Sequence, residues 1–308
     1  MKHNPLAPLC DLFNESAAAW LRGNTHTHTT LSDGGISPEE VVLWYDQAGY
    51  DFLFITEHEE KLAKPTDVCG IGNLTTETLT VMPGIEWKVP FAGKRLLHTV
   101  ALGDALTGKF SSDWDLKDTL RFTQDAGLLL VVAHPYWSAM SHEDLAGAGG
   151  AVAIEVYNTT CQVVSAKGFS PSYWDYLLQN GVHLHGIAAD DAHWGRSVPD
   201  YGGGWIMVRS AQRTPTAILD ALREGRFYAT CGPRFLSVSV DGDQIEVVTT
   251  PVKSIHFITH NGHSSVEHAA GKPHVTQARR GLKSLKRYLR IECVDQNGRY
   301  AWTNAVLL

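Results

Sequence analysis

The 308-residue chain has no uninterrupted apolar run of about 18 residues, the length a helix needs to cross a bilayer, so no membrane span is expected. Cysteine is scarce: Cys10, Cys69, Cys161, Cys231 and Cys293 are far apart, odd in number and without a CxxC pair. Such thiols read as reduced core residues and not as a disulfide frame, which fits a cytoplasmic protein. The first residues also lack the basic start, apolar stretch and cleavage site of a secretory leader, which supports the same location. There is no basic excess. A net charge of −7 argues against non-specific binding of nucleic acid. No internal repeat, no low-complexity segment and no Gly-x-Ser-x-Gly elbow around Ser32 or Ser138 is present, so a serine nucleophile is not suggested.

Histidine, by contrast, recurs in short motifs beside carboxylates. In chain order the candidates are His26 and His28 in Asn24-Thr25-His26-Thr27-His28, Asp33, and His58 in Ile55-Thr56-Glu57-His58. Glu86 in Gly84-Ile85-Glu86-Trp87, His98, His134 in Ala133-His134-Pro135, Asp191 and His193 follow. Imidazole with carboxylate and no thiolate suits Zn, Mn or Fe. Nine ligands exceed the four to six positions of one ion, so a cluster of two or three divalent metal ions is expected, of the kind that mostly serves hydrolysis.

The surrounding pattern predicts where these residues sit. From about 20 to 230, strand-like runs near 52–56, 79–85, 96–102, 128–133, 152–157, 184–189 and 204–208, plus one ending at His26, alternate with helix-like segments. Runs such as Leu128 to Ala133 are continuously apolar, as in strands buried on both faces of a parallel sheet. Ser37-Pro38-Glu39-Glu40 is a capping box opening a helix that stops at Gly49; others are expected near 114–126, 171–180 and 215–224, and a short one over Phe13 to Leu21. Repeated β-then-α units predict a (β/α) barrel with catalytic groups at the carboxyl ends of its strands. His98 fits least well, because it falls at the start of a strand. After Gly232-Pro233, short alternating segments with Asp-Gly and Asn-Gly turns predict a small antiparallel β-sandwich over 232–308.

These motifs, with Ser32-Asp33-Gly34 and Asp191-Ala192-His193, resemble those of the PHP domain, the polymerase and histidinol phosphatase superfamily, over roughly residues 20–230. Gly23-Asn24-Thr25-His26, Ala221 to Tyr228 and Cys231-Gly232-Pro233 resemble its branch named for carbaryl hydrolases (CehA/McbA-like). The resemblance implies a distorted (β/α)7 barrel over 1–231 holding up to three metals. It implies one metal on His26, His28, Glu86 and Asp191, a second sharing Glu86 with His98 and His134, and a third on Asp33, His58 and His193. Glu57 is expected to support the ligands, and Asp190 is the alternative to Asp191.

The expected reaction is hydrolysis of a small phosphorylated substrate, with Glu86, Asp191 and His193 as the catalytic set. Arg196, Arg95 and Lys88 follow ligand motifs and could meet an anionic substrate, and Glu155 ends a strand on the expected face. The alternative is the same site acting on a carboxylic ester, carbamate or amide, which an aromatic pocket of Trp87, Tyr136, Trp137, Tyr157 and Trp194 would favour. A third reading is a non-catalytic PHP-like module. The partner is a small molecule, with no membrane, and oligomerisation is left open. Histidines 256, 260, 263, 268 and 274 and the basic stretch from Lys272 to Arg290 read as surface of the β unit.

Overall fold

A computed structural model of the chain describes residues 5–14, 18–91, 95–104 and 113–308. Seven strands follow one another as hydrogen-bonded neighbours: β1 (Ala19–Asn24), β2 (Phe52–His58), β3 (Thr80–Phe91), β4 (Arg95–Leu102), β5 (Leu129–Val132), β6 (Ala153–Asn158) and β7 (His185–Ala189). All neighbouring pairs are parallel except those of β4, which runs antiparallel to both β3 and β5. The continuous apolar runs explain the burial: every residue of β2 and of β5 is buried.

Among the described residues six α-helices accompany them: α1 (Ala7–Asn14), α2 (Pro38–Gln47), α3 (Leu116–Asp125), α4 (Thr159–Ser165), α5 (Pro171–Gln179) and α6 (Pro215–Arg223). Of these, α2 packs on β2, α3 on β3 and β5, α5 on β6, and α6 on β8 (Trp205–Ser210). The capping box is formed as the sequence predicts: Glu40 N donates to Ser37 Oγ at 3.3 Å and Ser37 N to Glu40 Oε2 at 2.8 Å. The helix expected over 13–21 instead ends at Asn14, and Ala19 already begins β1, where Trp20 and Leu21 pair with Arg209 and Val208 of β8. Among the described residues no helix is long and apolar enough to cross a membrane.

The expected (β/α)7 barrel is not closed. The outer edge of β1 is taken by antiparallel β8, so β7 has no ladder to join. Beyond the ends of both strands the two sides meet at one isolated parallel bridge, Thr27 to Ala192. His28 N donates to Ala192 O at 2.9 Å and Asp191 N to His26 O at 2.8 Å across that seam.

The rest of the chain is antiparallel β, as its turns predict. In order the strands are β9 (Phe227–Thr230), β10 (Phe235–Asp241), β11 (Gln244–Val252), β12 (Ser254–Thr259), β13 (Ser265–His268), β14 (Val275–Gly281), β15 (Tyr288–Val294), β16 (Tyr300–Thr303) and β17 (Val306–Leu307). Here β16 bonds to β9, so the large sheet continues from β8 through β9, β16, β15 and β12 to β13, while β10, β11 and β14 form a separate sheet. Val238, Ile245 and Val247 pack with Phe257, Leu289 and Ile291 in a second core, which also takes Leu9 of α1 and Leu6 just before it. Buried Arg290 on β15 ties this unit to α5. It donates to both oxygens of Asp175, at 2.7 and 2.6 Å, and to Glu292 at 2.7 Å.

Candidate metal centre

The site is assembled at one end of the sheet. His26 and His28 follow β1, held by Asn24, whose Nδ2 donates to His26 O and Tyr45 Oη at 2.9 Å each, and by Thr27 N donating to Thr56 Oγ1 at 3.0 Å. His58 closes β2 and lies in register with Glu86 on β3. Because β4 is antiparallel, its first half lies at the carboxyl end of β3, with His98 opposite Lys88. His98 is therefore on the same face as the other candidates although it lies near the start of its strand. His134 follows β5, and Asp191 and His193 follow β7. The backbones of His134, Asp191 and Trp194 have positive φ values of 24°, 56° and 66°, a region that side chains rarely adopt and that clusters at functional sites.

Glu86 is the hub. Its Oε2 is 3.0 Å from His58 Nδ1 and 3.3 Å from Nε2 of both His26 and His28. Its Oε1 is 2.8 Å from His98 Nδ1 and 3.2 Å from His134 Nε2. Asp191 Oδ1 is 3.0 Å from His28 Nε2 and 3.3 Å from His26 Nε2. Asp33 Oδ1 lies farther, 3.6 Å from His193 Nε2 and 3.8 Å from His58 Nε2, and its other oxygen pairs with Lys61. All nine sequence candidates are thus brought together.

Among the described residues, ligand atoms within 4.8 Å of one another form four sets: His26, His28, Glu86 and Asp191; His58, Glu86 and His98; His28, Asp33, His58 and His193; and His134, Cys161 and Asp191. The first set is the one the resemblance implies. In the second, His58 stands where His134 was expected. The donor set fits divalent ions on a further ground: His26 Nε2, His28 Nδ1, His58 Nδ1 and Glu86 Oε2 are buried without a hydrogen-bond partner. Leaving such atoms unsatisfied costs on the order of 1–3 kcal/mol each, which coordination would remove.

Electrostatics reflect the same crowding. Burial alone would raise Glu86 and Asp191, but the imidazoles outweigh it. His26, His98 and His58 hold Glu86 well below the usual carboxylate range, and His26, His28 and His193 hold Asp191 low. Burial would lower His28, yet its hydrogen bond with Asp191 and the adjacent Glu86 carboxylate push it up to about 9. His58, where burial dominates, falls to about 3, and burial with the nearby His28 lowers His193.

The remaining candidates divide. Arg196 lines the cavity, with Nε paired to Asp200 at 3.1 Å. Lys88 also lines it, paired with Glu60. The side chain of Arg95 lies outside the described residues. Glu155, expected near substrate, is instead buried behind the histidines: its oxygens take His26 Nδ1 at 2.8 Å, His134 N at 2.9 Å and Asn158 Nδ2 at 2.9 Å. Asp190 is engaged by Tyr45, Thr159 and the amides of Gly202, Gly203 and Gly204, so Asp191 alone of the pair faces the centre. Glu57 supports the 29–32 loop through Thr29 and Ser32, and burial raises its carboxyl.

Of the five aromatics expected in the pocket, Trp137 lines it, whereas Trp87 is buried and Trp194 stacks on Tyr201 at 4.6 Å. Sequence reading missed Asn158, which donates to Asp191 at 3.1 Å as well as to Glu155, and Cys161, whose Sγ is 4.0 Å from Asp191. Asn158 carries a strand-end signal like the ligands, but it lacks their side-chain type. Among the described residues, the histidines of the β unit form no metal set, and His256 bonds Ser254 at 2.8 Å. A larger cavity, about 900 Å³, lies at the start of β7 beside His185 and holds no metal set among the described residues.

No protein-family model and no curated protein matches the sequence. Among solved structures, a two-domain protein from Bacteroides vulgatus containing a predicted PHP-like metal-dependent phosphoesterase aligns over 94% of this chain and 96% of its own, at 16% identity and a TM-score of 0.55. PsfC from Pseudomonas syringae aligns over 61% of this chain and 82% of its own (19% identity, TM-score 0.45). An amidohydrolase from Chromobacterium violaceum with bound sulfate aligns over 56% and 87% (17%, 0.39). The fold likeness rests on the first, which spans both of the chain's cores. The chain therefore shares the fold of that two-domain protein along nearly its whole length.

Proposed function

We propose that this protein is a metal-dependent hydrolase of small phosphoesters, with the chemistry carried by residues 1–231 and the strands of 232–308 as a supporting unit. The observation that carries the reading is Glu86, a buried carboxylate reached by five histidines, three at one oxygen and two at the other. Two or three divalent ions would be held by the nine candidates, and when bound such ions supply Lewis acidity that activates water and neutralises phosphoryl charge.

The chain's own residues orient and exclude. Glu155 takes the Nδ1–H of His26, which leaves Nε2 free to serve as a ligand. His193 donates its Nδ1–H to Asp191 O at 2.8 Å. Its Nε2 lone pair is then presented beside Asp33, to hold an ion or to carry the proton the leaving alcohol needs. Arg196 uses Nε for Asp200, leaving its two terminal amino groups for phosphate oxygens.

A second reading, hydrolysis of a carboxylic ester, carbamate or amide, is favoured by the apolar surface of Trp137 in the cavity, and it accords with the carbaryl-hydrolase-like motifs. The test is a screen of phosphomonoesters, phosphodiesters and aryl carboxylic esters with metal-loaded and chelated protein. Turnover of phosphoesters only when loaded is expected. Turnover of carboxylic esters alone moves the assignment to the second reading.

A further inference from the structure

Seven of the nine candidates, all but His26 and His28, line a cavity of about 550 Å³ and form its floor, and strand order divides its wall. Lys61 follows β2, Lys88 lies on β3, and Arg196 follows β7, which meets β1 at the Thr27–Ala192 seam. Leu96 on β4, Trp137 after β5 and Val164 on α4 after β6 come from the consecutive strands between them. One arc of the wall therefore carries three cations, each paired on one side with a carboxylate (Asp33, Glu60 and Asp200), and the other is apolar.

The apolar arc is open. Leu96, Trp137 and Val164 are 44%, 43% and 51% exposed, an uneconomical arrangement for three large side chains around one cavity unless something covers them. Trp137 reaches the floor, its ring centroid 5.1 Å from that of His134 and 5.5 Å from that of His98. Two hydroxyls lie on the same arc, and both are engaged within the protein. Thr160 Oγ1 donates to Asp191 O at 2.6 Å, and Ser138 Oγ is 3.4 Å from His134 Nδ1. A sugar or other polyol placed there would lose its water contacts and find few replacements.

We infer that the organic part of the substrate is apolar and lies against Leu96, Trp137 and Val164, with its phosphate toward Lys61, Lys88 and Arg196. This rests on the phosphoester reading above and names its substrate class: alkyl or aryl phosphomonoesters. In the reaction, water forms a new P–O bond as the ester P–O bond breaks. One water proton passes to the leaving oxygen, giving the alcohol and inorganic phosphate.

A series of n-alkyl phosphates from ethyl to octyl tests this, because the leaving-group chemistry is constant along it. With metal-loaded protein, kcat/KM should rise roughly two- to fourfold per methylene over the first several carbons, and glycerol phosphate should do no better than ethyl phosphate. The Kd of non-hydrolysable n-alkylphosphonates should follow the same trend. Trp137→Ser should flatten the trend with metal content unchanged. Because Trp137 touches two ligands, Val164→Asn serves as the second variant and should reduce the slope as well.

Good hydrolysis with no dependence on chain length, or a slope untouched by both variants, would overturn the apolar subsite alone. Failure of every phosphate and phosphonate, in protein shown to hold its ions, would bring down the phosphoester reading and this inference with it.

Discussion

Glu86 Oε2 and His58 Nδ1 lie 3.0 Å apart, fixed by the register of two neighbouring parallel strands and not by a flexible loop. Neither atom has a hydrogen-bond partner, although both are buried. A site built this way depends on one carboxylate.

Glu86→Ala should therefore be the most damaging single carboxylate change. Wild-type protein is expected to hold more than one ion per chain, and the variant to lose most of them, with activity falling by several orders of magnitude. Glu155→Ala, which removes a partner of His26, His134 and Asn158 but none of the nine candidates, should cost on the order of 10–100-fold. Elemental analysis checks both. One ion or fewer in active wild-type protein, or metal loss in Glu155→Ala but not in Glu86→Ala, would contradict the assignment.

Metal binding should release protons. His28 is pushed up to about 9, so near pH 7 it carries a proton that a ligand must give up, and His26 and His134 are raised in the same sense. His58, at about 3, is already neutral and releases none. Affinity should accordingly climb as pH rises toward about 9 and weaken below neutrality. Calorimetry in buffers of different ionisation enthalpy reads the proton count, and pH-independent affinity would exclude the charge state described.

Arg196→Ala should raise KM for a phosphoester with metal content unchanged. The side chain is about one-third exposed and already shares its charge with Asp200, so the loss should be near the low end for a charge-assisted contact, about 1.5 kcal/mol, or roughly tenfold. Lysine should recover only part of this, because the planar fork is lost. An unchanged KM in Arg196→Ala would remove the residue from the substrate's path.

The buried contact between Arg290 and its two carboxylates predicts a stability effect far from the site. Arg290→Ala strands Asp175 and Glu292 without their cation and should lower unfolding free energy by about 3–5 kcal/mol. Denaturant titration measures it. A change below about 1 kcal/mol would mean that β15 and α5 are held by packing alone.

Much of this was legible because histidine and carboxylate motifs coincide with apolar runs, so strand ends and ligands were read together. His98 shows where that reasoning stops: nothing in Leu97-His98-Thr99 announces that β4 runs against its neighbours, and only strand direction puts the residue on the right face. Barrel closure failed for a similar reason, since the partner of β1's free edge is β8, nearly two hundred residues away. Glu155 was ambiguous because a strand-end carboxylate looks alike from either side of a histidine. Asn158 escaped because an amide is not a ligand type, although it bridges two carboxylates.

The open seam between β1 and β7 would give bound ions a mechanical task. The two edges are joined by the Thr27–Ala192 bridge and a few hydrogen bonds, yet His26 and His28 stand on one side of it and Asp191 on the other, within a single ligand set. His26, His28 and Asp191 would together hold an ion across the seam, and such an ion would fasten the first and last strands where the sheet does not. Chelation should thus unzip the molecule locally before it unfolds globally. Amide exchange at His28 and Asp191 should quicken on metal removal, while the fully buried interior of β2 stays protected.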